Sequence, residues 1–340
     1  MISSVFLFPY YLVLKLRNRL YDKGRIASVQ HTVPVVSVGN VTAGGTGKTP
    51  MVELLVRLLG EDCRVAVLSR GYKRRSKGFR LVKPDDTADQ AGDEPLQVKR
   101  KFPDVLVALD KDRNHGVEQL LALPLDRRPD IVLLDDGFQY RRLKPSLNIV
   151  LVDYNRPVFR DNLLPIGRLR DLPEQIRRAD AVVFTKSPAV LDPWERTEMR
   201  QLTRLRPDMP VFFTTIRYGD PQPVFPEGDK HYIYSREVYL FSGVADDRPL
   251  RVQLADRYAL IDHKQFGDHH RFSRGDQRAL VRYARLHPRA LLLTTEKDAM
   301  RLLHADRFDA AVRSRLFYLP IETAFLTPEE QADFAKLICQ

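Results

Sequence analysis

Residues 38–50 read Val-Gly-Asn-Val-Thr-Ala-Gly-Gly-Thr-Gly-Lys-Thr-Pro, directly after the apolar run Val33–Val38 and ahead of an amphipathic stretch, Thr49–Leu59. A strand, a glycine-rich loop and a helix in that order form a phosphate-binding loop. Gly44, Gly45 and Gly47 let backbone N–H groups turn inward, with Thr42, Ala43 and Thr46 completing the loop, and the helix N-terminus adds partial positive charge. Lys48 is placed to reach β- and γ-phosphates, and Thr49 to offer its hydroxyl to Mg²⁺. Thr42 stands where the usual pattern starts with glycine, and Pro50 falls in the first helical turn, where a missing N–H costs nothing. Nucleotide chemistry also requires an acidic residue at the end of a neighbouring strand. Ile131–Leu134 followed by Asp135 and Asp136 supplies it, either carboxylate being able to serve the metal.

The elements that must position these groups are written as alternating apolar and amphipathic runs. Strand-like runs fall at 33–38, 64–68, 104–109, 131–134, 148–152, 181–184, 211–215, 238–241, 290–294 and 316–319. Several are continuous Val/Leu/Ile/Phe runs, as expected of parallel strands buried on both faces. Helical stretches lie at 49–59, 113–122, 194–205, 274–286, 297–304 and 328–338. The pattern predicts an α/β fold, a mostly parallel sheet with helices on both faces. Residues 218–230 hold three prolines and two glycines, turn chemistry dense enough for a hinge. The expected organisation is an N-terminal helix over 1–25, a core over 26–217, that hinge, and a smaller C-terminal α/β subdomain over 231–340.

The 340 residues carry a net charge of +11, which suits an acidic partner. Two cysteines exclude a disulfide framework and a cysteine-based zinc cluster. Residues 1–14 have no charged side chain, yet a spanning helix needs about 20 apolar residues. Lys15, Arg17, Arg19, Lys23 and Arg25 follow, so the segment suits a helix lying in a lipid headgroup layer or, equally, one packed on its own domain. Nothing resembles an aromatic-interleaved basic platform, so nucleic acid is not an expected partner. The guanine-reading Asn-Lys-x-Asp is also absent; its nearest string is Thr295-Glu296-Lys297-Asp298, where Asp298 is expected to cap a helix.

Taken together, the residues resemble the tetraacyldisaccharide 4′-kinases of lipid A biosynthesis. The blocks that carry the resemblance are the phosphate loop, Ser69-Arg70-Gly71-Tyr72, Gly92-Asp93-Glu94-Pro95, Asp135-Asp136-Gly137-Phe138-Gln139, Leu164-Pro165 with Gly167-Arg168-Leu169-Arg170, Phe241-Ser242-Gly243-Val244-Ala245, Asp268-His269-His270 and Thr295-Glu296-Lys297-Asp298. They follow the family order over nearly the whole chain.

The resemblance implies transfer of the γ-phosphate of ATP, with Mg²⁺, to the 4′-hydroxyl of an anionic glycolipid, a lipid A disaccharide 1-phosphate. It implies a P-loop core joined by a hinge to a C-terminal subdomain. It also implies a peripheral enzyme on the cytoplasmic face of a bacterial inner membrane, with no obligate protein partner, and favours the interfacial reading of the first helix. It places a catalytic Asp at Asp93, assisted by His269 or His270; His269, directly after Asp268, is preferred. Arg70, Tyr72, Glu94, Arg168 and Arg170 fall on the substrate side, where guanidinium forks suit an existing phosphate. The family carries Glu where this chain has Asp171, so no metal role is assigned there. The alternative is a membrane-peripheral GTPase or ATPase switch, which gives Asp93 and the His pair no task.

Overall fold

The structure, a computed structural model, describes residues 2–339, with side chains described from Pro9 onward. Strands β1 (Val35–Gly39), β2 (Val65–Ser69), β3 (Arg80–Leu81), β4 (Leu106–Leu109), β5 (Ile131–Asp135), β6 (Leu147–Asp153), β7 (Ala181–Thr185) and β8 (Val211–Tyr218) enter a first sheet. The chain then builds a second from β9 (Gln222–Pro223), β10 (Glu237–Ser242), β11 (Ala259–Gln265), β12 (Leu291–Thr295) and β13 (Leu316–Leu319). It returns to the first with β14 (Ile321–Phe325). The spatial orders are β14-β8-β7-β6-β1-β5-β2-β4-β3 and β11-β10-β12-β13-β9. Pairing is parallel except at β3, β9 and β14, so the expected α/β class is what the chain adopts.

The helices are α1 (Ile2–Asp22), α2 (Lys48–Leu59), α3 (Ala88–Ala91), α4 (Asp93–Lys101), α5 (Arg113–Leu121), α6 (Pro193–Leu202), α7 (Arg248–Ala255), α8 (Arg274–Leu286), α9 (Glu296–Leu302), α10 (Ala310–Arg313) and α11 (Pro328–Ile338). Alternate residues of β1 serve opposite faces. Val36 and Val38 join Met51 and Leu55 of α2 in one core, while Val35 packs with Val117 and Leu120 of α5 in another. The first of these cores runs on into the second sheet through Phe241, Leu292 and Leu316.

Two boundaries differ from expectation. Residues 218–230 contribute β9, which pairs antiparallel with β13, so this proline-rich stretch is partly built into the second sheet. Residues 321–338 leave the second unit altogether: β14 pairs with β8, and α11 packs behind them. The reason is apolar. Phe334 is fully buried, with its ring 5.1 Å from Phe212 and 4.9 Å from Phe325.

The first helix is half docked. Leu14 and Asn18, one turn apart, are buried against the core, and Asn18 Nδ2 donates to Asp171 Oδ1 at 2.8 Å. Leu12, Val13 and Leu16 on its other side are exposed. Of the apolar stretch 1–14, Met1 and the side chains of residues 2–8 lie outside the described residues. Among the described residues no helix is long and apolar enough to cross a membrane.

Because Phe334 joins the terminal helix to the shared core, Phe334→Ala is expected to destabilise the whole protein by about 3–5 kcal/mol, not a detachable tail. Equilibrium denaturation followed by far-UV circular dichroism reads this as one shifted transition.

Candidate active site

The site lies at the carboxyl ends of β1 and β5, where open parallel sheets bind ligands. Val38 is in register with Asp135 across the β1–β5 pair, so the phosphate loop leaves the sheet beside the two aspartates. The crossing is tight: a Cβ on Gly39 would lie 2.5 Å from Phe138 Cβ. Gly44 and Gly47 take φ values of 99° and 80°, which turn the loop back toward α2. Asn40 is buried and organises it, its Nδ2 donating to Thr46 Oγ1 while its backbone carbonyl accepts from Gln139. Thr42 bridges to Leu169, and the Ala43 amide donates to the Arg168 carbonyl at 2.6 Å. Lys48 and Thr49 open α2, and Gly45 is exposed at the loop's tip.

The two strand-end carboxylates occupy different environments. Asp136, at φ 53°, accepts two bonds from Arg170, at 2.8 and 2.7 Å, and its Oδ1 lies 3.7 Å from Lys48 Nζ. Burial alone would raise its carboxyl, but the Arg170 hydrogen bonds and the Lys48 charge hold it well below the usual range. Arg170 also bonds the Asn40 side chain. Asp135 takes only a hydroxyl from Ser69, at 3.1 Å, and its buried Oδ1 has no partner. Burial first, then the charges of Glu94 and Asp136, push it up to about 7. A buried oxygen with no donor and a suppressed charge fits a missing cation. No three His, Cys, Asp or Glu among the described residues form a metal site by themselves, so a cation here would complete its shell from Thr49 and a phosphate.

Asp93 is not in a simple turn. Gly92, at φ 87°, caps α4, and Asp93 and Glu94 form its first turn. Asp93 Oδ2 accepts from His269 Nδ1 at 2.9 Å and from Arg301 Nε at 2.8 Å; Oδ1 accepts the Glu94 amide at 3.0 Å. Burial opposes its charge, yet the His269 hydrogen bond, Lys297 and Arg301 hold the carboxyl well below its ordinary value. Lys297 Nζ bonds Glu94 Oε1 at 2.8 Å and lies 3.1 Å from His269 Nε2. Tyr72 meets the His269 ring edge-on at 5.2 Å.

Between the two histidines the geometry is selective. His269, at φ 57°, faces Asp93. His270 turns the other way, bonding Asp276 at 3.0 Å and stacking on Phe266 at 4.4 Å, and does not join the site. Arg70 and Arg168 are exposed, Arg168 alongside Gly44. Arg168 lines an open depression of about 470 Å³ with Arg156, Arg160 and Ile166.

Sequence reasoning missed Asn40, Lys297, Arg301 and the arginines at 156 and 160. Lys297 and Arg301 are four residues apart on α9, hence on one face, a spacing too common to stand out. Asp298 is not the helix cap expected of it but a buried residue of the first turn. Thr295 caps α9, and the Asp298 carboxylate accepts from the Gly243 amide at 2.8 Å while gripping Arg301 at 2.5 Å.

The sequence model of the family described as tetraacyldisaccharide-1-P 4′-kinase (LpxK) matches residues 2–339. The chain belongs to this family. It is 41% identical over 322 residues to the tetraacyldisaccharide 4′-kinase of Phocaeicola vulgatus, covering 93% of this chain and 88% of that one. It is 40% identical to the enzyme of that name from Parabacteroides distasonis, covering 98% and 92%. Among solved structures it is similar to LpxK from Aquifex aeolicus in complex with ATP, at a TM-score of 0.76 and 31% identity over 99% of both chains. The chain is therefore a tetraacyldisaccharide 4′-kinase of lipid A biosynthesis with a P-loop fold, and the switch alternative is not favoured.

His269→Ala removes a donor to Asp93 and is expected to lower kcat by roughly 10²-fold or more. His270→Ala is expected to keep kcat within about threefold and to lower Tm instead, since its bonds are to the α8 cap. Steady-state kinetics and thermal melts of the two variants separate these outcomes.

Proposed function

We propose that this kinase binds ATP with Mg²⁺ at the phosphate loop and transfers the γ-phosphoryl group to the 4′-hydroxyl of a lipid A disaccharide 1-phosphate. On this reading the loop amides, with Lys48, hold the β- and γ-phosphates. Thr49 and Asp135 would hold Mg²⁺, which when bound neutralises charge building on the transferring group. Asp136 keeps Arg170 and Lys48 aligned on the phosphate side. This divides the metal task in favour of Asp135, because Arg170 occupies both oxygens of Asp136.

The observation that carries the assignment of the base is the bonding of the Asp93–His269 pair. With Nδ1–H donated to Asp93, the other His269 nitrogen accepts from Lys297, which leaves it no free lone pair. Asp93 Oδ1 has a single amide donor. As the acceptor oxygen bonds to the γ-phosphorus and the bond to the β-bridging oxygen breaks, the hydroxyl proton passes to Asp93 and ADP departs. A carboxylate this acidic takes the proton late, once the attacking oxygen has become positive, which suits a loose transition state. Arg301 and Lys297 keep Asp93 ionised until then.

The acceptor brings an anionic phosphate and acyl chains. Arg156, Arg160 and Arg168 around their depression, with exposed Leu164 and Ile166 beside it, suit that combination. The exposed Leu12, Val13 and Leu16 of α1, followed by cations, suit a peripheral position on the inner leaflet of the inner membrane. Neither a nucleic acid nor an obligate protein partner is needed for the reaction.

Labelled γ-phosphate from ATP should reach a detergent-dispersed lipid A disaccharide monophosphate with wild type, and sharply more slowly, though still measurably, with Asp93→Ala or Lys48→Ala. Only Asp93→Ala should retain ATP affinity. Release of labelled inorganic phosphate with unlabelled lipid would instead mean a hydrolytic switch. Replacing Arg156 and Arg160 together by Ala should raise KM for the lipid about tenfold or more and leave KM for ATP within about twofold.

A further inference from the structure

Beneath the active site, two buried carboxylates meet a half-buried lysine among the helices that carry them. Glu53, in the second turn of α2, is 0% exposed although it sits among Met51, Val52, Leu54 and Leu55. Its Oε1 accepts from Gln97 Nε2 at 2.7 Å and its Oε2 from Lys101 Nζ at 2.8 Å. The same ammonium reaches Glu296, also buried, at 3.2 Å. Gln97 and Lys101 follow Asp93 by four and eight residues on α4, so all three share a face. Glu296 opens α9, directly before Lys297 and five residues before Arg301. Each of the three helices thus carries both an active-site residue and a member of the cluster.

Stability alone does not account for such a cluster. Desolvating three ionisable groups costs more than packing apolar side chains of similar volume, and apolar packing would serve a core as well. What paired charges add is register, because they must meet near 3 Å whereas apolar surfaces can slide. We propose that Lys101 is a positioning residue for phosphoryl transfer: by bridging Glu53 and Glu296 it fixes α4 and α9, and hence Asp93, Lys297 and Arg301, against the helix of the phosphate loop. The inference rests on the kinase reading above and on the role given there to Asp93. The charge balance agrees with it. Burial, and then Glu53, pushes the Glu296 carboxyl up to about 7, while the Lys101 charge and hydrogen bond pull it back down. Lys101, despite its burial, is held above its ordinary value by the two carboxylates. Tyr318 of β13 faces the same cluster and is raised by burial and then by Glu296.

The test is Lys101→Met, which keeps the stem and removes the charge, assayed well below its melting temperature in wild-type and Asp93→Ala backgrounds. Misplacing the acceptor group without touching the phosphate loop should lower kcat by about tenfold to hundredfold, with KM for ATP within about twofold. In the Asp93→Ala background the same change should cost little more, since the group it positions is gone. Lys101→Arg should recover most of the lost kcat. If Lys101→Met does not fold, adding Glu53→Gln removes the more buried of the two carboxylates left without the lysine, and that variant should fold while still losing kcat. Wild-type kcat in either variant overturns the inference, as does a loss that simply multiplies with that of Asp93→Ala. A wild type that transfers no phosphate to lipid overturns the kinase reading and this inference with it.

Discussion

Asp93 must remain an anion although it is buried between two sheets. Desolvation alone would protonate it, so the protein has to bring cations and hydrogen-bond donors to it. They come from far along the chain: Arg301 and Lys297 from α9, and His269 from the loop after β11. None of these belongs to the sheet that carries the phosphate loop. The second unit therefore supplies the charge that lets the first keep Asp93 ionised. The shared core and the return of β14 and α11 make that arrangement rigid enough to specify a geometry.

A similar logic separates the two strand-end aspartates. They are adjacent in sequence and share one strand end, yet one is driven toward protonation and the other away from it. The difference comes from the left-handed backbone at Asp136, which turns that carboxylate out of the line of β5 and into the fork of Arg170. Asp135 continues the strand and meets only Ser69. Two like charges this close cannot both stay ionised without help. The strand end therefore has one carboxylate already neutralised by protein and one whose free oxygen fits a cation.

Much of this was legible in the sequence, and the parts that were not have physical reasons. The parallel strands around β1 read as continuous apolar runs because both faces are covered. β11 and β14 did not. The first is an edge strand with mostly exposed side chains, and the second is short and antiparallel with mixed burial. The phosphate loop was legible in its own residue series, whereas Asp93 and His269 stood out only through the resemblance to the kinase family. Gly-Asp-Glu-Pro has the composition of a turn, so α4 leaves little helical signal at its start; Gly92 caps the helix and Pro95 sits in its first turn, where proline is tolerated. Arg301 and Glu53 left no signal beyond a charge on a helix. Only the long-range fold places one beside Asp93 and shows the other to be buried in an apolar stripe.

The docking of α1 joins the apolar surface to the chemistry. Asn18 bonds Asp171, whose neighbour Arg170 holds Asp136, and the Arg170 carbonyl accepts from Tyr10 on the same helix. Asp171 is thus occupied as an anchor for α1. The exposed residues Leu12, Val13 and Leu16 project from a helix tied directly to the phosphate-side arginine. On the proposed reading, a lipid surface meeting that face would stand at a fixed height above the γ-phosphate. An acceptor whose acyl chains stay in the membrane can then present its hydroxyl without the enzyme binding most of its length. Because the energy of holding the chains stays with the bilayer, the protein's own polar contacts are left to orient the sugar and its phosphate.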